Sequence, residues 1–172
     1  MTQPELFSNT MSSIDMARAL KKEMRPKMED GCQCPVCDQL AKIYKVKLNS
    51  GMARCLIWMY NRPQMLGEAY PHSTWVDIPL QAPREIIKSR SHGRLAHWGL
   101  IEAKPNVDDP SKKDSGLWRL TLKGLSFTSG GLRVPKHVFL YNNIVEGWSE
   151  EQTTIEEALG NHFNYEELMR GE

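Results

Sequence analysis

The chain has 172 residues, which suits one compact domain or two small ones. It is 40% hydrophobic and 25% charged with a formal net charge of +1, and no apolar run approaches the ~20 residues of a membrane-spanning helix. The N-terminus lacks a basic start followed by an apolar core, so we expect no secretory signal, no membrane partner and a cytoplasmic location.

The first predicted element is a helix from Ser13 to about Met24. Ser12 is a suitable N-cap residue, and Asp15 follows it at the spacing of a capping box. Pro26 disfavours a helical residue before it and predicts the end of the helix. The apolar side of this helix consists of Ile14, Ala17, Leu20 and Met24.

A cysteine-rich segment, GCQCPVCDQL, follows this helix. Its C-P-x-C turn presents the Cys34 and Cys37 sulfurs to one ion and therefore predicts half of a tetrahedral zinc site. Cys32 is the nearest further ligand. A structural zinc, a knuckle without metal and a redox C-x-x-C are all open, although no βαβ pattern surrounds the turn as a thioredoxin-like site would need.

The fourth zinc ligand is ambiguous because the chain has no second C-x-x-C. Cys55 is the candidate that we assign, together with Cys32, Cys34 and Cys37. The competing interpretation of Cys55 is a small buried hydrophobe, because it shares a helix side with Met52, Leu56 and Met59. His72 is a second candidate, in a predicted loop.

Alternation in KIYKVKL predicts a half-exposed strand, and Asn49 and Ser50 are caps for a helix from Gly51 to Asn61. Pro63 is predicted to open a loop. The segment STWVDI is predicted to be extended.

The segment from Ala82 to Thr128 predicts two short helices, two strands and a final helix. The first helix covers Arg84 to Lys88, and the second, RLAHW, ends at Gly99. The strands LIEAK and LWRLTL flank a charged loop, and KGLSF follows as a helix. Together with the helix predicted at Gly51 to Asn61, these elements give the order helix, helix, turn, helix and a hairpin with a charged tip. That order is the layout of a winged helix.

At these residues the sequence resembles a known family. The stretch HWGLIEA, followed by DDPSKKDSGLWRLTLKGL, is similar to the recognition-helix end, wing and next helix of MarR-type winged-helix regulators. The resemblance covers about forty residues and implies a DNA-binding role in transcription. It also implies a homodimer, formed through the N-terminal helix or the C-terminal helices.

The C-terminal third is predicted to contain a hairpin and two acidic helices. Asn142 and Asn143 suit a tight turn between VPKHVFLY and IVEGW. Thr153 and Glu156 form a predicted capping box for IEEAL, and Asn164 is expected to cap YEELM. With its C-P-x-C knuckle, the whole chain resembles a group of small bacteriophage proteins, which implies a bacterial host cell.

We therefore expect an α+β fold in three segments: an N-terminal helix and knuckle at 1–48, a winged-helix domain at 49–130, and a C-terminal hairpin with acidic helices at 131–172. No nucleophile elbow, phosphate-binding loop or H-E-x-x-H motif is present, so we expect no enzyme.

Charge is unevenly distributed between these segments. Residues 84–123 carry nine bases against five acids, a net of +4, while residues 144–172 carry one base against eight acids, a net of −7. The basic part favours double-stranded DNA as partner, and the acidic part leaves open a host protein bound by the C-terminal helices.

The predicted DNA contacts lie in the third helix and the wing. Arg is suited to guanine edges, Ser and His to base edges or phosphates, and Lys to phosphates. The candidates are Lys88, Arg90, Ser91, His92, Arg94, His97, Lys104, Lys112, Lys113 and Arg119.

Overall fold

The structure is a computed structural model that describes residues 12–65, 71–88, 91–107, 109, 111 and 115–171. The mixed helix and sheet content confirms the α+β class. The described chain forms two compact units. The first contains the residues up to Tyr44 together with Tyr141–Asn143, and the second contains Lys45–Leu140 with the residues from Ile144 onward.

The first unit consists of one helix and a small hairpin. Helix α1 spans Ser13–Met24, and the Ser12 hydroxyl accepts a hydrogen bond from the Asp15 N–H, as predicted. No residue of α1 is buried. On its predicted apolar side, Leu20 and Met24 are half-buried, whereas Ile14 and Ala17 are exposed. A 3₁₀ turn at Arg25–Lys27 follows. Strands β1 (Cys32–Gln33) and β2 (Leu40–Ala41) pair antiparallel.

The second unit holds the remaining helices of the described residues. They are α2 at Ser50–Met65, α3 at Ile78–Gln81, α4 at Arg84–Ile87, a 3₁₀ helix at His92–Trp98, α5 at Leu122–Thr128, α6 at Ile155–Leu159 and α7 at Tyr165–Arg170.

The remaining strands are short, and most of them pair antiparallel. They are β3 at Tyr44–Lys47, β4 at Val76–Asp77, β5 at Ile101–Ala103, β6 at Leu117–Leu120, β7 at Val134–Pro135, β8 at His137–Tyr141, β9 at Ile144–Trp148 and β10 at Gln152–Thr153. The sheets have the orders β4-β6-β5, β3-β8-β9 and β7-β10.

Helix α2 lies at the centre of the core of the second unit. Met52, Leu56 and Met59 are buried, as their spacing predicted. Helices α5, α6 and α7 all pack on α2. The Asn61 side-chain amide donates to the Leu168 carbonyl at 2.7 Å and so links α2 to α7.

The predicted end of α2 is wrong. We expected Pro63 to open a loop, but α2 continues through Pro63 to Met65. Proline inside a helix costs about 3 kcal/mol because it removes one hydrogen bond and its ring clashes with the preceding turn. Here Pro63 is buried, and packing of its ring in the core offsets part of that cost.

Apart from Tyr141–Asn143, the described C-terminal residues belong to the same unit as α2, so the predicted segments 49–130 and 131–172 share one core. The Asn142-Asn143 turn has positive φ at both residues, 48° and 62°, as predicted. The capping box is displaced by one residue: Thr154 and Glu157 form it, not Thr153 and Glu156. Thr153 is buried and pairs with Val134 in the β7-β10 ladder.

Within the described part of the chain, no helix has the length and apolar character needed to cross a bilayer.

Candidate functional site

The 3₁₀ helix at His92–Trp98 is fixed by its two buried apolar side chains. Leu95 and Trp98 are 0% and 1% exposed, and the Trp98 indole N–H donates to the Pro135 carbonyl at 2.7 Å. Gly99 ends the helix in the left-handed region, at φ 67°, as predicted. Because Leu95 and Trp98 face the core, Arg94 is left exposed.

Four cations of this region are exposed and form no ion pair among the described residues. They are Arg84, Lys88, Arg94 and Lys104. Arg84 and Lys88 line a cleft of about 810 Å³ together with His92. Cations that have no carboxylate partner remain available for an anionic ligand.

His92 is packed against strand β6. Its ring meets the Trp118 ring edge-on at 6.1 Å between centroids. Burial lowers the pKa of His92, because desolvation disfavours the charged imidazolium. Its buried Nδ1 has no hydrogen-bond partner among the described residues.

Ser91 and His97, two other predicted groove-facing residues, are less accessible than expected. Ser91 is only 7% exposed, so its hydroxyl does not present itself at the surface. His97 is half-buried on the 3₁₀ helix.

Arg119, a predicted phosphate contact, is engaged within the hairpin. Its Nε donates to Glu102 Oε1 at 2.6 Å, and its guanidinium lies 4.4 Å from the centre of the Trp75 ring. Glu102 and Arg119 face each other in the β5-β6 register. The opposite charges in the two predicted strands were the signal for this pair, and sequence reasoning missed it.

The L-T-x-x-G sequence at the end of β6 is explained by the way α5 packs on the residues before β5. Thr121 caps α5 by accepting from the Gly124 N–H, and its hydroxyl donates to the Gly99 carbonyl at 2.6 Å. A Cβ at Gly124 would lie 1.9 Å from the Leu100 carbonyl oxygen. The Lys123 Nζ donates to the Trp98 carbonyl at 2.8 Å, which is a further hydrogen bond between α5 and the end of the 3₁₀ helix.

Three predicted contacts, Arg90, Lys112 and Lys113, lie outside the described residues. The described candidates lie at the end of α4, on or next to the 3₁₀ helix, and on or next to strands β5 and β6.

The cysteine knuckle in the first unit is a tight, hydrogen-bonded turn. The Cys34 N–H donates to the Gln39 carbonyl at 2.9 Å, and the Asp38 N–H donates to the Cys34 carbonyl at 2.8 Å. Asp38 has a positive φ of 55°, which lets the chain turn back into β2.

The turn also directs donors at the Cys34 sulfur. The backbone N–H groups of Val36 and Cys37 and the Cys37 side chain hydrogen-bond to Cys34, and the Val36 bond contributes most to lowering the pKa of the Cys34 thiol. N–H groups aimed at a sulfur favour the thiolate, which is the form that binds zinc. Cys34 and Cys37 therefore fit a metal.

The other predicted ligands are placed differently. Cys32 is half-buried in β1, opposite Ala41. Cys55 is buried in α2 of the second unit, and burial raises the pKa of its thiol to about 12. Among described residues, which include every cysteine and histidine, no group of three or more His, Cys, Asp or Glu side chains could hold a metal.

Comparison with protein-family models, with curated proteins and with solved structures gives no significant match to this chain.

Proposed function

We propose that this protein binds double-stranded DNA through a winged helix in its second unit. The observation that carries the proposal is the order of elements. The chain runs from helix α2 through strand β4, helices α3 and α4 and the 3₁₀ helix to the hairpin β5-β6. Strand β4 pairs with the edge of β6 that faces away from β5. A winged helix is expected to have a strand before its second helix that pairs with the last strand of the wing, so this pairing supports the proposal.

The exposed cations support the same surface. In a winged helix the third helix approaches the major groove and the wing follows the sugar-phosphate backbone. Arg94, exposed on the 3₁₀ helix, takes the base-reading position in this proposal. Lys88 at the end of α4 and Lys104 after β5 take phosphate positions. Transcriptional control in a phage or its bacterial host is the biological role that the sequence resemblance implies.

The test is DNA affinity as a function of salt. A fluorescent duplex is titrated with protein between about 50 and 200 mM salt, where each lost phosphate contact flattens the log–log slope by about 0.9. We expect Lys88→Ala and Lys104→Ala each to flatten the slope. Lys47→Ala, which removes an exposed cation from β3 instead, is the matched control. Salt-independent binding, or equal effects at Lys47, would contradict the proposal.

A second function is favoured by a cleft in the acidic C-terminal part of the chain. A cleft of about 550 Å³ is lined by Glu156, Phe163 and Glu166, among others, between α6 and α7. Two carboxylates beside an aromatic ring suit a basic segment of a host protein. In this alternative the winged helix is a scaffold.

The two proposals predict different effects when basic or acidic side chains are replaced. Glu151 and Glu157 pair with Lys136 and Arg133 at 2.5 and 2.8 Å, so they are poor probes of a partner. Glu166 lies farther from its own partner, with its Oε2 3.6 Å from the Arg170 guanidinium, and both side chains are exposed. Glu156→Gln combined with Glu166→Gln should weaken capture of a basic protein partner and leave DNA affinity unweakened. Loss of DNA affinity with Lys88→Ala but not with this double variant favours the DNA role.

A further inference from the structure

The Cys34–Cys37 knuckle contains two metal-competent sulfurs at its tip. Cys34 is half-exposed and Cys37 is exposed, so both can be reached from outside the first unit. Zinc in a structural site takes four ligands in a tetrahedron, almost always thiolates and imidazoles. Two sulfurs of one knuckle therefore satisfy half of that coordination shell.

The chain's other cysteines and histidines are all among the described residues, and none joins Cys34 and Cys37 to form a group of three potential ligands. Cys55 is unsuited for a physical reason: it is 1% exposed in the core of α2, where burial opposes formation of a thiolate. Cys32, although close in sequence, lies in the paired strand β1.

The tip of the knuckle also carries uncovered apolar surface. Val36, between the two cysteines, is 75% exposed, and Leu40 at the start of β2 is 63% exposed. When two such tips face each other, the apolar side chains beside the sulfurs lose water contact, which favours association.

We propose that one zinc ion joins two copies of this chain, held by Cys34 and Cys37 of each copy. Four thiols lose their protons to give a tetrathiolate zinc centre, with no change of oxidation state. The protons pass to solvent, and the N–H groups of Val36 and Cys37 in each copy stabilise the negative Cys34 sulfur. The site is incomplete in a single copy.

This inference goes beyond the proposed DNA-binding function and does not rest on it, because metal content and mass are measured without DNA. A zinc-joined pair would present two winged helices to one duplex, as dimeric DNA-binding proteins do at paired half-sites. The inference also chooses the knuckle, not α1 or the C-terminal helices, as the place where two copies meet.

The experiment is zinc analysis and sedimentation of the full chain, purified under reducing conditions without chelator. We expect one zinc ion per two chains and a dimer that becomes a zinc-free monomer with chelator and re-forms with added zinc. Cys37→Ser should lose both zinc and the dimer. Cys32→Ser, two residues before Cys34 in strand β1, should keep both.

Four results would overturn the inference. They are a monomer with one zinc per chain, a zinc-free protein after purification in zinc-supplemented buffer, a Cys34–Cys37 disulfide that persists under reductant in place of metal, and loss of the site in Cys32→Ser. Titration of wild-type protein with cobalt keeps the test independent of whether variants fold: the tetrathiolate absorption should saturate at one cobalt per two chains.

Discussion

The Arg119 guanidinium donates a hydrogen bond to the Glu102 carboxylate at 2.6 Å across strands β5 and β6, where the two residues face each other in register. A cation with its own carboxylate partner contributes less to an anionic ligand than its charge suggests. The pair is only partly buried, with side chains 36% and 47% exposed, so solvent screens it and its contribution to stability is about 0–1 kcal/mol.

Removing Glu102 should therefore strengthen DNA binding. In Glu102→Gln the Arg119 guanidinium keeps its stacking on Trp75 but becomes available to phosphate. We expect tighter binding and a log–log salt slope steeper by up to about 0.9, measured on the same fluorescent duplex. Glu150→Gln removes an equal charge from an exposed position outside the wing. If Glu150→Gln tightens binding as much, the effect is one of net charge and the specific role of Arg119 is wrong.

Gly124 should tolerate no side chain. A Cβ there would lie 1.9 Å from the Leu100 carbonyl oxygen, so Gly124→Ala must displace α5 or the start of β5. Overpacking of this kind costs about 1–3 kcal/mol, and a clash with backbone belongs at the upper end. Urea unfolding measures the loss as a lower midpoint with unchanged slope.

The control is Gly93→Ala, because a Cβ at Gly93 meets nothing within 4 Å. We expect its unfolding free energy to stay within about 0.5 kcal/mol of wild type. Equal losses in the two variants would show that Gly124 is not held against Leu100.

Local patterns predicted the elements better than they predicted the partners of side chains. The spacing of Met52, Leu56 and Met59 is set by one helix, and all three are buried as expected. The Glu102–Arg119 pair joins residues that are 17 positions apart, and it depends on a hairpin register that the charged loop leaves undefined in sequence. The opposite charges of the two predicted strands are visible in the sequence, but the register that pairs Glu102 with Arg119 is not.

The sequence around α6 allows two capping boxes, and the pairing of β10 with β7 decides which of them forms. Thr153 with Glu156 and Thr154 with Glu157 have the same spacing, so the sequence does not decide between them. The antiparallel pairing of Thr153 with Val134 places Thr153 in β10, and Thr154 becomes the cap. Likewise, the continuation of α2 through Pro63 depends on burial that local propensity does not contain.

Glu157 should make stability depend on acid pH. A hydrogen bond from the Thr154 N–H, with the Arg133 guanidinium nearby, lowers the pKa of Glu157 below its ordinary 4.5. A lowered carboxyl pKa contributes stability above the unfolded-state value that is lost as pH falls through the folded-state value. Wild type should therefore exceed Glu157→Gln in unfolding free energy near neutral pH, and the difference should shrink below about pH 4.5.

Glu156→Gln is the matched control for this measurement, since Glu156 is the neighbouring exposed carboxylate on α6. Its difference from wild type should change less over the same range of pH. Thr154→Ala removes the cap itself and should cost about 1 kcal/mol at neutral pH. A pH-independent difference between wild type and Glu157→Gln would mean that Glu157 has no special partner in the folded protein.

The four thiols should react with iodoacetamide at different rates, because the thiolate is the reactive form. Cys55 is buried and the pKa of its thiol is about 12, so it should stay unlabelled in the native protein and react only after denaturation. Cys37 is exposed and Cys34 has a lowered thiol pKa, so both should label quickly once a chelator has removed any metal. Labelling is done at pH 8, and fragmentation of the labelled peptides locates each label, because Cys32, Cys34 and Cys37 share one tryptic peptide. Added zinc should protect Cys34 and Cys37 while leaving the labelling of Cys32 unchanged. Native labelling of Cys55 at a rate like that of Cys37 would show that the core around α2 opens, and protection of Cys32 by zinc would place a third sulfur of the same chain on the metal.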